Sequence, residues 1–369
     1  IIPPSVRHEV GADALAMMIK SGFLEDDRCI VTDYGTNAEM ALKVGDDIYP
    51  GSAAAGPAIE GQHIRYGILA SPGAISDMVR IPEGWRNIVL DSHLRPEDGS
   101  LFNLRANTLK LQGARARGIT GTGVIALLYA GLMAGRIVLP RIIGDEIVVD
   151  RGIKFTSADL VEAGKAIGAI RAGHMTLMVE AGMDPRDLGT MYMAGASGTC
   201  VDAMKARYVG MLPPSAEKIV QVGNTSLELA KDLAFEPDLV YELNDIREDL
   251  LSHHVMFASS TIFSDLYVQE LAYWTEGMPW DSYLRNIAAL GIDVTFLTDQ
   301  GTPVVERRER TDIWDIGSAI EILDPGVFLS GTWDCDRCLR CVKACPERAL
   351  SFQEGCFTVD AGRCLGMAC

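Results

Sequence analysis

The strongest constraint on this chain lies near its end. The run CDRCLRCVKACP, residues 335 to 346, carries the spacing Cys335-x2-Cys338-x2-Cys341-x3-Cys345 and closes on Pro346. A loop this short wraps three corners of a cubane iron–sulfur cluster and sends a fourth thiolate elsewhere. The proline stops the chain from continuing as an ordinary helix start. Zinc more often takes two separated pairs of ligands. A disulfide cluster is disfavoured, because nine cysteines in 369 residues are not dense and no segment reads as a secretory signal. The run is therefore read as a 4Fe–4S site.

The same run matches the bacterial ferredoxin motif, which is often paired. Downstream stand an expected helical turn (PERAL), a short strand pair (SFQ and CFTVD) and then Cys364 and Cys369. These last two look like the first ligands of a second motif, with four residues between them rather than two. In the crossed ligation pattern one cluster takes Cys335, Cys338 and Cys341, and the other takes Cys345, Cys364 and Cys369, each short of one ligand. The chain starts at Ile1 rather than Met and is expected to be a fragment. Residues 329–369 are expected to form a small α+β ferredoxin-like iron–sulfur domain, apparently truncated, after a linker at DPGVF (324–328). What residues 1–328 contribute to an electron carrier is then the central question.

With 50 acidic against 33 basic residues, the net charge of −17 argues against nucleic acid as a partner. No run of eighteen apolar residues predicts a membrane span. A hydrophobic fraction of 48% and a mean hydropathy of +0.13 support sizeable cores. Low-potential clusters and free thiols call for a reducing, anaerobic, cytoplasmic setting.

Along the chain, ADALAMMIKSG (12–22) reads as an amphipathic helix ended by glycine, and CIVTDYGTNAEMALKV (29–44) as strand, tight turn, strand. PGSAAAGPAIEG (50–61) is expected to be a loop, followed by β structure to about residue 110. Residues 113–138 read as a glycine-rich loop opening a helix, and 156–182 as a long helix with a Ser or Thr cap. DLGTMYMAGASGT is expected to run from a strand into a glycine turn. Residues 241–275 look helical and acidic, and GIDVTFLTDQ (291–300) looks strand-like. The alternation predicts an α/β fold.

Three segments place glycine between a strand and a turn: Asp33-Tyr34-Gly35-Thr36-Asn37; Gly118, Gly121 and Gly123 ahead of a helix; and Gly195-Ala196-Ser197. Each lets backbone N–H groups approach a phosphate or sugar with no Cβ in the way. A carboxylate at a strand end, Asp33, suits Mg2+ held through water. A bland tight-turn reading fits any one of the three; their order carries the argument.

That order resembles the actin-like and sugar-kinase ATPase superfamily, and within it the ATP-dependent reductive activases of corrinoid proteins. DYGTNAEM is similar to that family's DIGTNGEI, and SAAAGPAIEG to its AAGPAFEG. RGITGTGVI resembles RGICGSGLI, and VGNTSLELA resembles its VGNAAL segment. With a carboxy-terminal ferredoxin motif, the chain resembles the branch serving methyltransferases, methylamine systems included. The resemblance implies an actin-like (RNase H-like) α/β ATPase domain over residues 1–328, a corrinoid-protein partner, a low-potential electron donor, and cofactors ATP, Mg2+ and two 4Fe–4S clusters in a complete protein. The implied activity is reduction of an inactive Co(II) corrinoid to Co(I), supporting methyl transfer, and it explains the large domain. The family's first phosphate motif is not found, so an amino-terminal lobe is expected either to be missing or to have diverged.

Carried over by position, Asp33, Gly35, Thr36 and Asn37 match the second phosphate motif, and Gly195, Ala196 and Ser197 the adenosine turn. Glu39 and Glu60 stand in matching motifs and are candidates to orient water or metal, although carboxylates are commonly just exposed. Ser52 is a candidate cobalt-facing hydroxyl on a small-residue loop, against a plain turn serine. Blander roles are expected elsewhere. His63, His253 and His254 lack a clustered ligand set, Cys29 and Cys200 read as buried small hydrophobes, and Cys356 as a strand residue. Met17, Met18, Met175 and Met178 read as core, and ERRER (306–310) as a solvated face. Two further readings stay open: an activator of another low-potential metal cofactor, such as a nickel tetrapyrrole or a dehydratase cluster, and a non-catalytic docking and electron-relay subunit. A homodimer is open as well.

Overall fold

The computed structural model describes residues 3–5, 10–250, 253–298, 301–308, 338–345, 348–353 and 356–359. Helix α1 (Ala12–Lys20) precedes three strands, β1 (Cys29–Tyr34), β2 (Ala38–Val44) and β3 (Asp47–Ala53). A second group follows: β4 (Ala74–Ile81), β5 (Gly84–Leu90), β6 (Pro96–Asn103), β7 (Thr108–Lys110) and β8 (Gly118–Ile119), which leads into α2 (Gly121–Met133). Two hairpins, β9 (Ile137–Val138) with β10 (Arg141–Ile142) and β11 (Glu146–Asp150) with β12 (Ile153–Thr156), lead to the long α3 (Ser157–Glu180). Then come β13 (Thr190–Ala194), α4 (Gly195–Cys200), α5 (Ala203–Val209), β14 (Lys218–Gly223), α6 (Thr225–Phe235), α7 (Leu239–Asp249), α8 (Thr261–Leu271), α9 (Trp280–Ala289) and β15 (Val304–Arg307).

Among the described residues, six strands form one sheet in the order β15-β14-β13-β1-β2-β3. β1, β13, β14 and β15 run parallel, while β2 pairs antiparallel with β1 and β3 antiparallel with β2. The period-2 alternation of a strand splits each one between two cores. Ile30, Tyr34, Met191 and Met193 belong to the core shared with α2 and α3, whereas Cys29, Val31, Tyr192 and Ala194 belong to the core under α1, α6 and α7. Both faces are covered by helices, as a largely parallel sheet requires. The second sheet, β7-β6-β5-β4-β8, is mainly antiparallel and is joined to the first through α2.

The expected long helix is α3, and its start is written in the sequence. Thr156 accepts a hydrogen bond from the Asp159 N–H, and the Asp159 carboxylate accepts one from the Thr156 N–H at 2.7 Å, a complete capping box. The strand-turn-strand at 29–44, the helix at 12–20 and the hairpin of SFQ with CFTV, here β16 (Leu350–Gln353) and β17 (Cys356–Val359), stand as expected. Met17, Met18, Met175 and Met178 are core, and Cys29 is buried.

Other expectations are corrected. The segment 50–61 is not all loop: 50–53 completes β3, and Pro57–Glu60 forms a 3-10 turn. The strand expected at 291–300 is instead a 3-10 turn over Thr295–Thr298, initiated by Asp293, whose carboxylate accepts from the Thr295 N–H at 2.8 Å. Its Phe296 and Leu297 pack with α3, α8 and α9. The helical reading of 241–275 is met by α7 and α8. Arg348 and Ala349 are not helical; the short helix lies earlier, at α10 (Arg340–Ala344). The linker at 324–328 lies outside the described residues. Of ERRER, Glu306 and Arg307 join β15, and Glu306 pairs with Lys218 at 2.7 Å. No helix among the described residues is long and apolar enough to cross a membrane.

Candidate functional site

Strands β1, β13 and β14 are adjacent and parallel, so their carboxyl ends finish side by side. Asp33 on β1 lies opposite Ala194 on β13, which in turn lies opposite Gly223 on β14. The residues just past those ends are therefore brought together: the Gly35-Thr36-Asn37 turn, the Gly195-Ala196-Ser197 turn, and Asn224 with Ser226. They line one cleft of about 360 Å³, together with Asp13, Asp33, Tyr34, Glu39 and Glu60. A crevice beyond the carboxyl ends of parallel strands is where open α/β sheets bind ligands.

Each wall has a local cause. Gly195 has a φ of +84°, and a Cβ placed on it would stand 2.1 Å from the Asp33 carboxylate oxygen Oδ1. Only glycine lets this turn close over Asp33. The turn after β1 is held by the Gly35 N–H, which donates to the Asn37 carbonyl at 3.2 Å, and by the Gly56 N–H, which donates to the Thr36 carbonyl at 2.8 Å. The Thr36 hydroxyl donates to Glu60 Oε2 at 2.5 Å. Asn224 caps α6, its Oδ1 accepting from the Leu227 N–H at 3.1 Å.

The electrostatics are one-sided. Asp13, Asp33, Glu39 and Glu60 all face this cleft, and among the described residues no lysine or arginine lines it. Burial, reinforced by the charges of Asp13 and Glu60, lifts the Asp33 pKa to about 6. Burial, with Asp13 next, lifts Glu39 to about 7. Asp33 and Glu39 are direct cross-strand partners, a like-charge pairing that disfavours both charged forms. A site so arranged suits a hard cation. Among the described residues no three such side chains converge as a ready-made metal cage.

A second, apolar hollow of about 600 Å³ lies between α1 and α6, lined by Ala12, Ala16, Leu229, Ala230 and Leu233. It shares Asp13 and Ser226 with the polar cleft.

The glycines expected to approach a nucleotide divide. Gly35 and Gly195 line the cleft. Gly118, Gly121 and Gly123 do not: all three are buried, and they serve packing. A Cβ on Gly121 would lie 1.4 Å from the Ile59 carbonyl oxygen, and one on Gly123 2.3 Å from that of Ile75. Ser52 is corrected too. It stands within β3, not on a thin loop, opposite Glu39 in the ladder, and its hydroxyl donates to Glu39 Oε1 at 3.5 Å.

Cys338 and Cys341 are exposed around the start of α10, and Cys345 is buried at its end. Cys335, Cys364 and Cys369 lie outside the described residues. Cys200 is exposed rather than buried. Burial pushes the Cys29 thiol up to about 12, so it is unreactive near neutrality. His253 contacts Asp47 at 3.1 Å and stacks on Tyr49. The sequence alone does not single out Asp13, Asn224 and Ser226 as site residues. Asp13 looks like an ordinary first-turn acid, and Asn224 and Ser226 lie in the segment VGNTSLELA, which carried a resemblance but no assigned role.

The family model described as the C-terminal domain of RACo, the ASKHA domain, matches residues 27–284. The chain belongs to this family of corrinoid-activator ASKHA domains. Its α/β actin-like architecture follows from that membership. A Methanosarcina barkeri protein named Co(II) methylated amine-specific corrinoid protein reductase is 45% identical over 379 residues, spanning 99% of this chain and 69% of its own length. The corrinoid activation enzyme RamQ of Eubacterium limosum is 28% identical over 237 residues, 55% of this chain and 36% of the relative. A solved reductive activator for a corrinoid, iron–sulfur protein shares the fold with a TM-score of 0.58 and 24% identity, over 73% of this chain and 44% of that one. The ASKHA chain described here thus spans about two thirds of one relative and less than half of the other two.

Proposed function

We propose that this ASKHA chain takes part in ATP-dependent reductive activation of a corrinoid protein, Co(II) to Co(I), in support of methyl transfer in a methylated-amine system. The observation that carries the reading is the meeting of the Asp33 turn, the Gly195 turn and Asn224 beyond three adjacent parallel strands. Relatives named for corrinoid reduction and activation support it.

The residues fit Mg-ATP. The Gly195 turn is a cradle that a Cβ would fill, and the carboxylate oxygens of Asp33, with Asp13 and Glu39 nearby, suit Mg2+ through its waters. Bound there, Mg-ATP supplies binding and hydrolysis free energy to drive an unfavourable electron transfer. Asp33 would hold the metal through its waters, the Gly35–Asn37 and Gly195–Ser197 backbones would border the nucleotide, and Glu39 and Glu60 line the same cleft. Ser52 holds Glu39 by its hydroxyl rather than facing cobalt.

For electrons, Cys335, Cys338 and Cys341 would hold one 4Fe–4S cluster of a ferredoxin-like segment, and Cys345 with Cys364 and Cys369 a second, each short of one ligand. A low-potential donor would load these clusters.

The test mixes anaerobically reconstituted protein with a Co(II) methylamine corrinoid protein and a strong reductant, and follows Co(I) absorption with and without Mg-ATP. Co(I) is expected only with Mg-ATP and is expected to vanish in Asp33→Ala. Equal Co(I) formation without nucleotide, or none with any corrinoid partner while cluster spectra are intact, would sink the reading.

A further inference from the structure

We propose that Glu60 is a positioning residue that couples the turn at Thr36 to the unit formed by α2 and the five-stranded sheet, so that occupancy of the cleft is transmitted to that sheet. The proposal rests on the reading of the cleft as a nucleotide site.

On the cleft side, the link is a single side-chain bond. Thr36 is exposed, and its hydroxyl donates to Glu60 Oε2 at 2.5 Å. A Cβ on Gly35 would come within 3.6 Å of the other Glu60 oxygen. Any ligand that engages the Thr36 hydroxyl competes with Glu60 for it, and a displaced Glu60 must turn away or carry its backbone along.

Behind Glu60 there is little that can absorb such a shift. Glu60 ends the 3-10 turn Pro57–Glu60, and that turn lies backbone to backbone against the start of α2. A Cβ on Gly121 would meet the Ile59 carbonyl oxygen at 1.4 Å, and the next residue, Gly61, holds φ +82° with the Gly121 nitrogen 3.2 Å from where its Cβ would be. The contact continues outward. Gly67 leaves no room against the Gly61 carbonyl (1.5 Å), Gly118 against the Tyr66 carbonyl (2.7 Å), and Gly123 against that of Ile75 on β4 (2.3 Å). The Ile68 N–H donates to the Ile119 carbonyl at 2.9 Å, and the Thr120 N–H to that of Ile75 at 2.9 Å. Flexible side chains accommodate small displacements; directly stacked peptide groups pass them on. The glycines at 61, 67, 118, 121 and 123 thereby acquire a common purpose, a stiff seam from Glu60 to β4.

On the opposite wall the Glu39 carboxylate accepts from the Ser52 hydroxyl at 3.5 Å.

Hydrogen-exchange mass spectrometry of the full chain, with and without the non-hydrolysable analogue Mg-AMP-PNP, tests this. In the wild type, exchange is expected to change both in the cleft peptides (33–37 and 195–197) and in the distant peptides of β4, β5 and α2. With the analogue at a concentration that saturates each variant, the distant response of Thr36→Val and Glu60→Ala, relative to their own cleft response, is expected to fall on the order of fivefold or more below that of the wild type. Glu60→Gln, whose amide oxygen still accepts from Thr36, is expected to retain it, which a merely stabilising role would not require. A full distant response in analogue-saturated Glu60→Ala, or a wild type that responds only in the cleft, would each overturn the coupling role. A wild type with no response at 33–37 instead fails the nucleotide reading itself, and the failure appears before any variant is made. Should Glu60→Ala not fold, Thr36→Val and Glu60→Gln still decide the matter.

Discussion

Replacing Glu39 by glutamine should make the ligand-free protein more stable, and only at the higher pH. Glu39 is 7% exposed, faces Asp33 across the β1–β2 ladder and has the Ser52 hydroxyl as its hydrogen-bond donor. Burial first, and then Asp13, lift its pKa from 4.5 to about 7. A carboxyl whose folded pKa is raised binds its proton more tightly in the folded state. Its contribution to stability is therefore greatest below the unfolded pKa and declines as pH rises from about 4.5 to about 7. The shift corresponds to about 3 kcal/mol across that window, most of it between pH 5 and pH 8. Glutamine has the same shape, still accepts from Ser52 and carries no charge to desolvate. Urea midpoints at pH 5 and pH 8 measure the difference. The variant should match the wild type near pH 5 and exceed it by about 1–3 kcal/mol at pH 8. A variant that gains nothing on going to pH 8, or loses stability there, would show that Glu39 meets a compensating cation and that the one-sided electrostatics of the cleft are misread.

Gly195→Ala and Gly152→Ala separate two costs. Both positions have positive φ, +84° and +75°, but a Cβ at Gly152 meets nothing within 4 Å whereas one at Gly195 meets Asp33. Urea denaturation should show a loss of about 1 kcal/mol for Gly152→Ala and about 2–4 kcal/mol for Gly195→Ala; equal losses would refute the steric argument. Glu270 is fully buried and pairs through both oxygens with the Arg171 guanidinium, which lies between the Tyr273, Trp280 and Tyr283 rings. Glu270→Leu should cost about 3–5 kcal/mol by stranding a buried charge, and the double variant with Arg171→Met should be less destabilised than that single change. A thermal melt in which the double variant is the worse of the two would refute this.

Much of the fold was legible because several signals agreed locally. The strand-turn-strand at 29–44 has β-formers on either side of Asp33-Tyr34-Gly35, and α3 carries a complete capping box at Thr156 and Asp159. The failures share a cause. Val294, Phe296 and Leu297 are β-formers by composition, but Asp293 starts a turn there and the apolar side chains fill a gap among α3, α8 and α9. Short apolar runs do not distinguish a strand from a turn whose side chains are needed by a neighbouring core.

The site was legible where chemistry sits on the turn itself, and illegible where it depends on what the turn lies against. DYGTN and GAS place Asp33, Gly35 and Gly195 at strand ends, and parallel pairing of β1 with β13 then forces them together. Nothing local separates Gly195 from Gly121, since both begin a helix after a strand and both exclude a Cβ at close range. What separates them is the partner: a carboxylate oxygen of the cleft for Gly195, a backbone carbonyl of a packed turn for Gly121. That partner is fixed by tertiary contact alone. A glycine whose Cβ would strike backbone on both sides of a contact marks a seam where two segments move as one, while a glycine whose Cβ would strike a charged side chain at an open cleft marks room kept for a ligand. The spacing of glycines in RGITGTGVI is equally compatible with either use, and the structure assigns it to the first.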